Sequence, residues 1–170
     1  ALTVLLWCVA ALIATAIAAI AGANRAATSA VVYATALAVS IVALVTAGTS
    51  LIAYAGMHEA LTLPIGLPWL GAHFRLDPLA AFFLVVVGLG SAGASLYALG
   101  YGRREHEPQR VLPFFPAFLA GLNLVVIADD AFSFLFAWEL MSLASGALVM
   151  SHHREPGNAH AGCVYIIMAS

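Results

Sequence analysis

The chain has 170 residues, 64% of them hydrophobic and 8% charged, with a mean hydropathy of +1.02. Soluble domains carry about a quarter of their residues as charges, so a soluble globular fold is excluded and an integral membrane protein is indicated. The net charge of −2 decides little more, because six Arg and eight acids lie almost entirely in short breaks between apolar runs and there is no Lys.

The first run, Leu2 to Ala21, is uncharged and rich in Ala, Leu and Ile. It lacks the basic flank of a signal peptide and has the roughly 20 residues a bilayer crossing needs, so it reads as a span. A start at Ala1 and a stop at Ser170 inside an apolar run read as a piece of a longer protein. The second run, Ser29 to Met57, exceeds a perpendicular crossing, which implies tilt or fraying at Gly48 and Gly56.

Between Leu61 and Asp77 apolar residues alternate with Pro64, Gly66 and Pro68, and Trp69 suits a membrane interface. This stretch predicts an extended interfacial segment, a short strand or hairpin, rather than a span. Asp77-Pro78 then reads as a helix start, with Asp77 as N-cap, Pro78 in the first helical position and Arg75 in reach of Asp77 or a lipid phosphate. The third span, Pro78 to Gly102, carries Gly88, Gly90, Ser91, Gly93, Ala94 and Ser95, a density of small residues that predicts close helix packing.

The segment Arg103 to Arg110 is a charged loop without the aromatic residues or ligand spacing of a nucleic-acid or metal site. A fourth span follows from Val111 to Ala128, with Pro113 and Pro116 in its first turns and Asn123 as its single amide. Asn123 suits an interhelical hydrogen bond or a place on a water path. Asp129-Asp130 breaks the run and can cap the next helix, making a tight antiparallel hairpin of spans four and five.

That fifth run, Ala131 to Ser151, is roughly 30 Å long at about 1.5 Å per residue, and Glu139 is its only ionisable residue, about a dozen Å from one end. A charge at that depth costs at least a few kcal/mol, so the residue faces a water path or a charged partner, or is a neutral acid bonded inside a bundle. On a helical wheel Glu139 shares its face with Phe132, Leu135, Phe136, Ser142, Leu143 and Gly146. Ser142 and Gly146 would let a helix or water approach the carboxylate. After His152-His153 and a polar loop, a sixth apolar run begins near His160. Two adjacent histidines are too few ligands for a metal site. Cys8 and Cys163 lie in apolar runs with no ligand spacing and read as buried thiols.

The expected architecture is all-α: a polytopic bundle of five complete spans plus the start of a sixth. It divides into residues 1–60 (two helices), 61–77 (outer interfacial loop) and 78–170. Five Arg in the breaks after spans one, three and five, against Arg75 alone after spans two and four, place the amino terminus and Asp129 outside.

With these residues laid out, the chain resembles the antiporter-like membrane subunits shared by NADH:quinone oxidoreductase, Mrp-type cation/proton antiporters and membrane-bound hydrogenases. The likeness is greatest to the hydrogenase type, represented by hydrogenase-4 component B and formate hydrogenlyase subunit 3. It is carried by Arg75-Leu76-Asp77-Pro78-Leu79 leading into Phe82-Phe83, by Ser95-Leu96-Tyr97-Ala98 with Gly100-Tyr101, and above all by Phe136-Ala137-Trp138-Glu139-Leu140-Met141-Ser142-Leu143 within Phe132 to Ser145. It runs from about Leu61 to Ser170. The family pattern has Asn where this chain has Asp130, and no role is carried over to that side chain.

The resemblance implies a multi-pass subunit of the bacterial inner membrane, of which this chain is the amino-terminal part. Proton movement would run through Glu139, with Ser142, Asn123 and Asp129 on the path, paired with a Lys on a later helix. It implies other membrane and peripheral subunits as partners, protons as the transported ion, no nucleic acid, and no cofactor in this chain. Electron transfer would belong to partner subunits. Two other readings stay open: an Mrp-type Na⁺/H⁺ antiporter subunit, and a structural anchor in which Glu139 only holds helices together.

Overall fold

The computed structural model describes residues 1–22, 26–53, 58–64, 71–101 and 111–152, and in the last run 162, 164, 165, 167 and 168. In chain order these form α1 (Leu2–Gly22), α2 (Ala26–Ala53), β1 (Glu59–Leu63), β2 (Ala72–Leu76), α3 (Pro78–Tyr101), α4 (Phe114–Ile127) and α5 (Ala131–Val149), which ends in one 3-10 turn at Met150–His152. Four of the helices, α1, α2, α3 and α5, are long and apolar enough to cross a membrane, and the protein is a multi-pass helical bundle.

The fourth expected span is shorter than its apolar run. Helical structure begins only at Phe114, after turns at Val111 to Pro113, and the 14 residues of α4 rise about 21 Å. Pro113 and Pro116 supply no N–H for the first turn, and Ala128 is already extended, with ψ 130°. At the other extreme α2 runs unbroken through Gly48; Gly56 lies outside the described residues, as do Trp69, every Arg except Arg75, His153 and Cys163. The Arg asymmetry therefore falls on segments that are not described. Cys8 is a buried, free thiol.

The segment between α2 and α3 contains an antiparallel hairpin, Glu59 opposite Leu76 through Leu63 opposite Ala72. Ala72, Phe74 and Leu76 turn inward and join Leu5, Ala47, Leu84 and Ile127 in one apolar core, which ties the hairpin to four helices. Gly71 enters β2 at φ 68°, with the Leu63 carbonyl 3.0 Å from where a Cβ would stand, so glycine is required there. The Leu2 N–H donates to Glu59 Oε2 at 2.7 Å, which fixes the start of α1 to the same end. That bond helps hold the Glu59 carboxyl below its ordinary range. Hence α1, α3 and α5 run away from the hairpin, and α2 and α4 run towards it.

Small residues set the helix spacing, as their density in the sequence predicts. A Cβ on Gly88 would lie 3.0 Å from Leu44 Cβ of α2, and one on Gly121 would lie 2.9 Å from the Met141 backbone of α5. Gly90 and Gly93 instead face open space.

Candidate functional site

Acids stand at two levels of α5, a cluster at its start and Glu139 alone in mid-helix. At the hairpin end, Asp130 is the N-cap: its Oδ1 accepts from the Ser133 N–H at 2.8 Å, while its Oδ2 accepts from the His73 N–H, 57 residues away in sequence, also at 2.8 Å. The Asp129 N–H donates to the His73 carbonyl at 2.9 Å, and Phe74 bridges Ala128. The α4–α5 turn is thus stitched to β2 like a third strand. Burial pushes the Asp130 carboxyl up, but hydrogen bonds from Ser133, His73 and Phe132 outweigh it and take it down to about 2.

Beside it, Arg75 Nε lies 3.0 Å from Asp129 Oδ1 and 4.0 Å from Asp77 Oδ2. The tertiary partner is the nearer one, a choice the local sequence does not show. Asp77 serves α3 as expected, its Oδ1 accepting the Ala80 N–H at 2.7 Å. Every acid of this cluster has a partner, and all of them sit at the hairpin end of the bundle.

Glu139 is placed differently. Eight residues into α5, about 12 Å along its axis from the hairpin end, its side chain lies on the surface of the bundle. It makes no hydrogen bond or ion pair among the described residues. Its neighbours on the helix wheel divide into two sets. Leu135, Phe136 and Leu143 are 59%, 62% and 61% exposed, whereas Ser142 and Gly146 are buried. The small residues expected to open a way to the carboxylate are covered within the described bundle, and the bulky ones are bare. Phe134 stacks on Trp138 along the outer surface, with ring centroids 5.9 Å apart.

The other sequence candidates fall in separate places. Asn123 is buried in α4 and its Nδ2 donates to the Leu119 carbonyl one turn back, an intrahelical bond rather than a link between helices. Asp129 belongs to the Arg75 pair at the bundle end and is not brought to Glu139. Ser142 stands three residues after Glu139, and its carbonyl accepts the Ser145 hydroxyl at 2.9 Å. Ser145 in turn accepts from Tyr165 Oη at 3.0 Å. This contact, with Gly162 lying close to Met150, sets Tyr165 and Gly162 against the end of α5 and its 3-10 turn. Sequence reading passed over Tyr165 and the Asp130–His73 clamp. The Asp-x-x-Ser cap spacing signals half of the clamp; nothing in the sequence signals the tyrosine's partner.

No family model matches the chain. It is similar to an uncharacterized protein of Mycobacterium tuberculosis, 41% identical over 102 residues, 60% of this chain and 16% of that protein. It is also similar to hydrogenase-4 component B of Escherichia coli, 34% identical over 98 residues, 56% of this chain and 14% of the relative. A third relative is NADH-quinone oxidoreductase subunit L of Mycobacterium tuberculosis, 30% identical over 95 residues, 55% and 15%. The chain therefore spans about a sixth of the length of the curated relatives it matches. Over a little more than half of its own length, these partial relatives support a place in the antiporter-like, complex I-type family.

Proposed function

We propose that this chain is part of a membrane subunit of a hydrogenase-like or NADH:quinone oxidoreductase-like complex, and that Glu139 carries protons within it. The observation that carries the reading is the carboxylate itself, without a hydrogen bond or ion pair among the described residues, on an exposed face of a membrane-length helix. Facing lipid as an ion, it would cost a few kcal/mol or more, and such groups almost always face a bundle interior or a wet cavity. A further surface therefore belongs over Leu135, Phe136, Glu139 and Leu143. The names of the relatives, a hydrogenase component and an oxidoreductase subunit, supply the class of assembly.

The chemistry follows from two opposed influences. Low-dielectric surroundings favour the neutral acid, and a nearby cation favours the carboxylate. Bringing a cation towards Glu139 releases a proton, and withdrawing it draws one in. Redox chemistry in partner subunits would drive that movement, and the cation would come from another helix, since this chain has no Lys, its Arg residues lie in the breaks between apolar runs, and Arg75 is held at the hairpin end. The clamp of Asp130 and His73 fixes the start of α5, so the carboxylate stays at a set depth while its partner moves.

Proton translocation by the full-length subunit in its complex tests the reading. Glu139→Gln keeps shape and hydrogen bonding but cannot titrate, so assembly persists and translocation is lost. Translocation at the wild-type rate in an assembled Glu139→Gln complex contradicts it. Proton movement that requires Na⁺ would favour the antiporter reading.

A further inference from the structure

Resting on that reading of Glu139, we propose that Ser145 and Tyr165 are proton-relay residues that serve it, so that protons reach the carboxylate along the half of α5 distal to the hairpin. Residues three apart on a helix are surface neighbours, with Cβ atoms about 5–6 Å from each other. Glu139, Ser142 and Ser145 stand at successive places of one such row. Towards the hairpin the next place is Phe136, a bare aromatic ring that separates Glu139 from Ser133, so the polar row is unbroken on one side of Glu139 only. Away from the hairpin the place after Ser145 is Leu148, and there the last apolar run supplies the missing polar group: Tyr165 Oη, 3.0 Å from Ser145 Oγ.

Both serines are buried, at 7% and 9% exposure, in a helix whose remaining side chains are almost all apolar. An intrahelical bond to a carbonyl would satisfy a membrane serine without outside help, and Ser145 makes one, to the Ser142 carbonyl at 2.9 Å. The tyrosine adds a donor to a hydroxyl that is already bonded. The result is an ordered pair of hydroxyls, each able both to accept and to donate. A proton arriving on the Tyr165 oxygen releases that residue's own proton to Ser145 Oγ. Ser145 turns its O–H from the carbonyl and passes its own proton on through the Ser142 hydroxyl or a water beside it to Glu139. Each hydroxyl oxygen finishes with the protons it began with, and the carboxylate becomes the acid.

The test uses the full-length subunit in its complex, with proton translocation and assembly measured for Glu139→Gln, Tyr165→Phe, Ser145→Ala and Ser145→Thr. Tyr165→Phe and Ser145→Ala are expected to assemble and to slow translocation several-fold. Ser145→Thr, which keeps the hydroxyl, is expected to retain it. Azide, whose conjugate acid is small and weak and can deliver protons without a relay, is expected to restore the rate in Tyr165→Phe but not in Glu139→Gln. A tether without a relay role predicts otherwise: loss that tracks assembly and that azide does not repair. Wild-type rates in Tyr165→Phe and Ser145→Ala alongside a dead Glu139→Gln would overturn the relay and leave the role of Glu139 standing. A fully active Glu139→Gln would instead remove the reading on which the relay rests.

Discussion

The hairpin end and the middle of α5 handle the same functional group in opposite ways. At the hairpin end Asp77, Asp129 and Asp130 are each answered within a few ångströms, by backbone N–H groups or by the Arg75 guanidinium. In mid-helix Glu139 has no answer among the described residues, although the cost of a bare charge is far greater there. Acids that build structure are neutralised by the fold that they build. On the function proposed for Glu139, the acid left open in the apolar region takes its partner from elsewhere, and the asymmetry is that between a scaffold and a working group.

The scaffold half can be broken directly. Asp130→Ala removes an N-cap and the clamp on His73, and should lower stability by about 2–4 kcal/mol, given the usual worth of a cap and of a charge-assisted hydrogen bond. The denaturation midpoint of the protein in nanodiscs reads this. Asp130→Asn keeps one acceptor and should cost less. The same group sets an acid limit. Its folded-state value of about 2 lies below the ordinary Asp value of about 3.9, so its contribution is complete above pH 4 and is lost as pH falls from there through about 2. In Asp130→Asn that loss should vanish from the midpoint's pH profile. The smallest effect belongs to Arg75→Gln. Its pair with Asp129 is half exposed and salt-screened, so the change should stay under about 1 kcal/mol and shrink further at high salt. A large loss there would mean that the ion pair, and not the Asp130 hydrogen bonds, secures the hairpin.

Much of the scaffold was legible because its signals are local. Apolar run lengths mark the helices, Pro64 and Gly66 set off the hairpin segment, and Asp77-Pro78 marks the start of α3. The position of Glu139 along α5 followed from counting. Its side did not, because a membrane helix is apolar all round and no polar stripe records which face is covered; Leu135 and Ser142 look equally placed on the wheel, yet one is bare and the other buried. Partnerships between distant segments were equally silent. Arg75 beside Asp77 suggested a local pair, and only the stitched α4–α5 turn brings Asp129 nearer. Asn123 gave a strong polar signal in an apolar run and yet bonds its own helix, since a carbonyl one turn back is always in reach. The tyrosine that meets Ser145 carries no motif at all.

The claim that Glu139 takes up and releases protons during turnover has a direct spectroscopic readout. Infrared difference spectra of the full-length complex, recorded between resting and turning-over states and compared with Glu139→Gln, isolate the protonated-carboxyl band of this one residue. The account predicts a band that appears and disappears with turnover and is absent from the Gln variant. A Glu139 carboxyl band that stays constant while protons cross the membrane would contradict it.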